Sequence, residues 1–160
     1  MSGLSALPRR RDVTQGGWVT HLSTLSPHDC MALLGSVPFG RVVFTYRALP
    51  AIRPVNHIVD NGNLIIRSSL GAGITGAAGN GLVVAYEADA IDAATRTGWS
   101  VVVTGLARLV HDADDIARYE RLLDPWVDGR LDCVIRIPPD LVTGYRLVNS
   151  PDVLSGRRTG

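Results

Sequence analysis

A hairpin signal near the middle of the chain constrains the fold more than any other sequence feature. Ala51–Asp60 and Leu64–Ser68 are rich in β-branched residues, and the turn-forming cluster Asp60-Asn61-Gly62-Asn63 joins them. β-Branched residues fit the pleated surface of a sheet, and Asn-Gly accepts the positive φ angles of a tight hairpin turn. These residues therefore predict two adjacent antiparallel strands.

Strand-like segments recur on both sides of this hairpin, while helical patterns occur only at the margins. One helix is predicted to begin after the N-cap Ser26 and to stop at Gly35, and another is predicted over Asp112–Trp126. Many short strands joined by short turns predict a mainly β fold, namely a closed or partly closed antiparallel barrel with flanking helices. The other predicted strands are Arg41–Tyr46, Leu82–Asp89, Trp99–Val110, Cys133–Ile137 and Leu141–Val148.

Length and composition predict one ordered domain between two polar ends. The chain has 160 residues, of which 46% are hydrophobic and 19% are charged, and this suits a single globular domain with its own core. Residues 1–22 carry Pro, Gly, Ser and Arg without periodicity and are predicted to form a flexible arm. Residues 23–149 are predicted to form the barrel domain, and residues 150–160 a flexible tail.

Charge and cysteine content argue against several classes of protein. The formal net charge of +1 gives no broad positive field for nucleic acid, and no apolar run approaches the roughly 20 residues that span a bilayer. The arginine run near the amino terminus is followed by no apolar segment, so no export signal is read and a cytoplasmic location is expected. Cys30 and Cys133 are far apart, which favours buried thiols over a disulfide framework or a zinc site.

A glycine-rich stretch matches a nucleotide-binding pattern only superficially. Gly71–Gly76 reads G-x-G-x-x-G, but Ala77–Gly81 is too short for the crossover helix of about 10 residues or more that a dinucleotide fold needs. Just before it, Arg67, Ser68 and Ser69 combine a guanidinium, hydroxyls and backbone N–H groups at a strand end, which are the groups that hold a phosphate. The same residues fit equally well an exposed strand arginine followed by serines that cap a helix.

Four stretches, taken in order, resemble the pyridoxamine 5′-phosphate oxidase-like split-barrel family, and in particular its nitroimidazole-reductase-like and flavin- or deazaflavin-dependent oxidoreductase branch. They are LSPHDCMALLGSVPFGRVVF, PAIRPVNHIVDNGNLIIRSS, LVVAYEADAIDAATRTGWSVVVTGLARLV and RIPPDLVTGYRLV, and together they extend over roughly Leu25–Val148. The resemblance implies a six- to seven-stranded antiparallel split barrel of the FMN-binding type. It also implies a homodimer with the cofactor at the two-fold interface.

The resemblance assigns residues to that cofactor. It implies that the strand Arg53-Pro54-Val55-Asn56-His57 runs beside the isoalloxazine ring and that Arg67-Ser68-Ser69 holds the phosphate. It further implies that Trp99 and Ser100 approach from the partner subunit. The expected activity is hydride transfer to or from a small conjugated or nitroaromatic-type substrate, with His57 or water as the proton donor. His57 and Trp99 are also consistent with core positions, and Arg53 with a solvent-exposed one.

One position departs from the family pattern. Family members commonly carry a lysine in a G-S-K-L-like context, whereas Gly73 occupies that place in this chain. Loss of a cation predicts weaker phosphate binding, which backbone amides around Ala72 and Gly73 offset only in part. FMN is therefore the expected cofactor with a deazaflavin as an alternative, and a non-catalytic dimer that sequesters a flavin or haem, or one with a vestigial groove, remains open. No histidine has metal-ligand spacing with another, so no metal site is expected.

Overall fold

Eight strands and two helices make up the parts of the chain that the computed structural model describes, residues 18–70, 81–123 and 133–151. Both helices lie beside the sheet, and each begins at a side-chain cap. Ser26 Oγ accepts the backbone N–H of Asp29 at 3.1 Å, and Asp112 Oδ1 accepts that of Asp115 at 2.9 Å. In chain order the elements are β1 (Trp18–Thr24), α1 (Pro27–Leu34), β2 (Phe39–Tyr46), β3 (Leu49–Asp60), β4 (Asn63–Ser68), β5 (Leu82–Asp92), β6 (Thr97–Leu109), α2 (Ala113–Leu122), β7 (Cys133–Ile137) and β8 (Leu141–Pro151).

Six of the strands close into an antiparallel barrel. The order is β6-β5-β2-β3-β4-β7, and β7 returns to pair with the end of β6 at Arg108 and Leu109. The earlier part of β6, Gly98–Thr104, pairs instead with β8, which in turn pairs with β1. The long strand β6 thus belongs to the barrel and to a flanking extension at once, and the prediction of a mainly β split barrel with flanking helices is confirmed.

The hairpin turn between β3 and β4 has the predicted geometry. Asn61 and Gly62 have φ angles of 48° and 74°, the left-handed pair that a tight hairpin turn requires. A second turn of the same kind joins β2 to β3 through Arg47 and Ala48, with φ angles of 51° and 62°. No glycine or asparagine lies in that second turn, so it could not be predicted from its own residues.

The strand β1 corrects the predicted amino-terminal arm. Residues 18–24 pair with β8 along their whole length, so residues 18–22 are part of the sheet. Val19–Thr24 are all exposed, and the strand therefore lacks the alternation of apolar and polar residues that reveals a half-buried strand. Its place is set by backbone pairing rather than by burial. Residues 1–17 and 152–160 lie outside the described residues, so the rest of the predicted arm and tail stays a prediction.

Two apolar clusters fill the two sides of the strand β4. The barrel interior is packed by Leu64 and Ile66 of β4 together with Val42, Tyr86 and Val101 from other strands. The alternate residue Ile65 faces outward and packs with Val134, Tyr119 and Leu123, and this second cluster holds α2 against the barrel. The burial of successive residues 64 to 66 therefore reflects cover on both faces of the strand.

A network of hydrogen-bonded charged side chains also holds α2 against the barrel. Arg118 of α2 donates to both carboxylate oxygens of Asp60, at 3.3 and 2.7 Å, and the Tyr119 hydroxyl donates to Asp60 at 2.7 Å. Arg136 of β7 donates to Asp115 at 3.2 Å. The bonds from Arg118 and Tyr119 hold the pKa of Asp60 below its usual range. Both arginines are therefore committed to carboxylates of the protein itself.

In the parts of the chain described, no helix has the length and apolar character needed to cross a membrane.

Candidate functional site

The end of β4 forms a corner that carries an arginine and two serines. The side chain of Arg67 lies on the outer face of β4, since Arg67 alternates with the inward-facing Ile66. Its Nε atom is buried and has no hydrogen-bond acceptor among the described residues. A buried N–H group without an acceptor costs about 1–3 kcal/mol, so native proteins rarely leave one unused. The geometry marks Arg67 as a donor that is ready for an acceptor.

The two serines of the corner have different roles. Ser68 faces the interior, is 5% exposed, and accepts the backbone N–H of Leu70 at 3.4 Å. Ser69 is exposed, and its Oγ accepts a hydrogen bond from Arg53 Nη1 at 3.2 Å. Arg53 also lies over the ring of Phe44, 5.8 Å from its centroid. Arg53 therefore ties the middle of β3 to the corner across the mouth of the barrel.

Only part of the predicted cofactor strand shares a face with Arg67. Pro54 and Asn56 pair with Arg41 and Phe39 of β2 on the outer side of the sheet. The β3–β4 pairing ends at His57–Ile66, and its register, continued by one residue, would bring Asn56 opposite Arg67 on that outer face. Arg53 and Val55 point the other way, because their partners on β2 are the inward-facing positions 42 and 40. Ala72 and Gly73 lie outside the described residues.

His57 is buried and hydrogen-bonded at both ring nitrogens, and its expected catalytic role stays a prediction. The residue is 4% exposed, and Nε2 donates to the carbonyl of Leu34 at 2.7 Å. Nδ1 is then the acceptor for the Tyr86 hydroxyl at 2.6 Å, a shorter contact than the 3.2 Å from that hydroxyl to Val55 O. Burial lowers the pKa of His57 and raises that of Tyr86, so both side chains are neutral near pH 7. Neither ring nitrogen is free to exchange a proton with a ligand.

His57 instead fixes the turn that follows α1. Besides the side-chain bond to Leu34 O, its backbone N–H donates to Pro38 O at 3.1 Å. Residues 35–38 are thus held at both ends by one residue of β3. Gly40 makes room for this arrangement, since a Cβ at that position would lie 2.7 Å from the Tyr86 hydroxyl.

Trp99 and Ser100 point to opposite sides of β6. Trp99 is 7% exposed and belongs to the barrel core, and the expectation of an aromatic cofactor wall at this residue stays a prediction. Ser100 lies on the outer face between Asp89 of β5 and Tyr145 of β8. Three strand spacings of about 4.8 Å separate it from Asn56 on β3. Within one chain, Ser100 therefore does not join the group around Arg67.

A cleft beside this group escaped the sequence analysis. It is an open depression of about 530 Å³ between the turn after α1, the C-terminal part of β3 and the end of α2. Three segments distant in sequence form its walls, so no local motif announces it. Its described lining residues are Gly35, Ser36, Val37, Pro38, Asn56, His57, Ile58, Val59, Leu122 and Leu123.

Charged side chains on the outer sheet face are paired with each other. Arg41 Nη1 contacts Glu87 at 3.1 Å and Asp89 at 3.5 Å. Partial burial and the neighbouring carboxylate of Asp89 raise the pKa of Glu87. Within residues 18–70, 81–123 and 133–151, no group of three or more His, Cys, Asp or Glu side chains has a metal-binding arrangement.

Comparison with known proteins identifies the family. The family model for pyridoxamine 5′-phosphate oxidase matches residues 26–157. The chain belongs to this family. The uncharacterised protein Rv0080 of Mycobacterium tuberculosis is 56% identical to this chain over 128 residues, which cover 78% of this chain and 84% of that protein.

Solved structures agree with the family assignment. A candidate pyridoxamine 5′-phosphate oxidase of Corynebacterium glutamicum is 33% identical, with a TM-score of 0.67 over 79% of this chain and 98% of that one. A FAD-binding protein of Mycobacterium smegmatis is 32% identical, with a TM-score of 0.58 and the same coverage. The pyridoxamine 5′-phosphate oxidase-like split barrel is therefore the fold of this chain.

Proposed function

We propose that the protein is a flavin-dependent oxidoreductase that binds FMN at the Arg67 corner. The observation that carries the proposal is the buried Nε–H of Arg67, which has no acceptor among the described residues. A phosphate oxygen satisfies such a donor through a short charge-assisted hydrogen bond. The similarity to a FAD-binding protein of M. smegmatis supports a flavin over other phosphate-bearing ligands.

The residues present fit such a group. Arg67 would hold the phosphate, the exposed Ser69 hydroxyl lies at the same corner, and Arg53 holds Ser69 in place through their 3.2 Å bond. Pro54 and Asn56, on the outer face of β3, would line the rest of the cofactor. A bound flavin supplies hydride transfer, while the protein supplies orientation and exclusion of water. Because both His57 nitrogens are engaged, water remains the proton donor in this proposal.

Alternative cofactors meet the same residues with different consequences. A deazaflavin with a phosphorylated tail would bind to Arg67 in the same way as FMN. The absorption spectrum, and not the corner, therefore distinguishes the two cofactors. A non-catalytic haem-binding protein would need an iron ligand, and His57 could serve only by breaking its bonds to Leu34 and Tyr86. The hydrogen bonding of His57 therefore favours the flavin proposal over haem ligation at that residue.

The experiment that tests the proposal is a visible absorption spectrum of the freshly purified protein, followed by titration of the protein with FMN. Flavin absorption bands in the pure protein, or saturable binding of added FMN, are the expected results. Mass analysis of the molecule released by heat distinguishes FMN, FAD and a deazaflavin. A colourless protein that takes up none of these would overturn the proposal.

We also propose that the protein acts as a homodimer through the outer sheet face. Support comes from a row of consecutive cross-strand partners on that face, Ile52, Val43, Ala85, Thr104 and Leu141. Ile52 is 63% exposed and Leu141 60% exposed, although monomeric proteins rarely expose continuous apolar patches of this kind. A second copy is the partner proposed because the resemblance to the split-barrel family implies a cofactor at a two-fold interface, with Ser100 of the partner subunit approaching it.

Val83→Lys is expected to convert this dimer to a monomer. Val83 is 65% exposed on the outer face, and a lysine there would bury an unpaired charge within the proposed interface. The measurement is molar mass by light scattering on a size-exclusion column. Leu122→Lys is the matched control, since Leu122 is 56% exposed but lies on α2, away from the sheet face. A wild-type protein that elutes as a monomer would contradict the dimer proposal.

A further inference from the structure

The cleft between α1, β3 and α2 carries no charge on any of its described lining side chains. Its walls are apolar at Val37, Pro38, Ile58 and Leu122, and Ser36 uses its hydroxyl hydrogen on Leu33 O at 2.6 Å. His57 is the one titratable residue among the described lining residues, and its buried ring is neutral and hydrogen-bonded on both nitrogens. A phosphate or carboxylate in this cleft would therefore lose hydration without meeting a cation there.

Two arginines on the neighbouring elements are already neutralised. Arg118 lies on α2, four residues before Leu122, and is bound through two nitrogen atoms to Asp60. Arg136 on β7 is bound to Asp115. Freeing either guanidinium would break its ion pair with a carboxylate, so the network resists capture by an anionic ligand.

The cleft also adjoins the Arg67 corner. Asn56 lines the cleft, and the β3–β4 register, continued by one residue past His57–Ile66, would bring it opposite Arg67 on the outer face. A molecule in the cleft would therefore lie next to a cofactor anchored at that corner. A volume of about 530 Å³ falls within the range of roughly 300–1,000 Å³ that is typical of small-molecule sites.

We propose that this cleft binds the second reactant, and that it selects an uncharged, largely apolar molecule and rejects phosphorylated ones. Ile58 and Leu122 are the specificity-determining residues, because they supply apolar surface where a phosphate-binding site would need a cation. The assignment of the cleft as the site of a reactant rests on the proposed flavin function. Its assignment as a site for neutral ligands rests only on the uncharged residues that line it.

The test compares one aromatic molecule with and without a phosphate, 1-naphthol and 1-naphthyl phosphate, by isothermal titration calorimetry. Both are titrated into the Arg67→Ala protein, so that the phosphate ester cannot be held at the corner. We expect 1-naphthol to bind at least about tenfold more tightly. Equal or tighter binding of the phosphate ester, or no binding of 1-naphthol, would overturn the proposal.

Leu122→Arg, added to the same protein, is expected to reduce the preference for 1-naphthol roughly threefold to tenfold. An arginine at the cleft wall supplies the missing cation, and the exposed position of Leu122 tolerates the change. Leu49→Arg is the matched control because Leu49 is 69% exposed at the far hairpin tip. An equal change in this preference in both variants would show that Leu122 is not part of the ligand site.

FMN titration of the protein with its Arg67 intact separates the two proposals. Failure to bind FMN, with the preference for 1-naphthol present, would remove the flavin function and leave a neutral-ligand cleft. Binding of FMN without that preference would remove the cleft assignment alone.

Discussion

Arg67→Ala is expected to weaken FMN binding by about 10- to 100-fold. Hydrogen bonds to charged groups contribute about 1.5–3 kcal/mol, and each 1.4 kcal/mol is a tenfold change in affinity. The buried Nε of Arg67 gains its acceptor only in the complex, so removal of this hydrogen bond lowers the affinity for FMN. Flavin fluorescence titration at fixed ionic strength measures the dissociation constant.

Two further variants define what the arginine contributes. Arg67→Lys keeps the positive charge but loses the planar set of donors, so its affinity should lie between wild type and Arg67→Ala. Arg108→Ala removes an exposed arginine from the end of β6 and should leave FMN affinity unchanged. Unaltered FMN affinity in Arg67→Ala would show that the phosphate is held elsewhere.

His57→Leu is expected to lower the free energy of unfolding by about 2–4 kcal/mol, because the carbonyl of Leu34 loses its buried donor and the packing around the ring changes. The turn over residues 35–38 should loosen with it, since His57 holds that turn. Urea denaturation followed by circular dichroism measures the change. His28→Leu is the control, because the His28 side chain is 94% exposed and should contribute little. Equal stability of wild type and His57→Leu would contradict the structural role.

The same residue predicts how stability depends on pH. Burial lowers the pKa of His57 in the folded protein, so below about pH 6.5 the unfolded chain binds a proton that the folded chain does not. The free energy of unfolding should then fall by up to about 1.4 kcal/mol per pH unit until the pH reaches the folded-state pKa. Above pH 7 His57 adds no pH dependence. His57→Leu should lack this component below about pH 6.5, and an identical slope in both proteins would refute it.

The sequence determined the local features of this protein. Alternating β-branched segments, the Asn61-Gly62 turn and the cap at Ser26 each depend on residues close together in the chain, so the barrel strands and α1 could be predicted. The order and spacing of those segments also indicated the family. β1 was missed because an exposed edge strand has no apolar alternation, and its pairing with β8 is a long-range contact.

Only the tertiary structure decided which side chains are available for chemistry. A strand exposes alternate residues, and closure of the barrel selects which alternate set is buried. That selection turned His57 and Trp99 into the interior and left Arg67 and Asn56 on the outer face. The neutral cleft arises from three segments that meet only in the folded chain. The sequence therefore determined which chemical groups the side chains supply, and the fold determined which of those groups a ligand can reach.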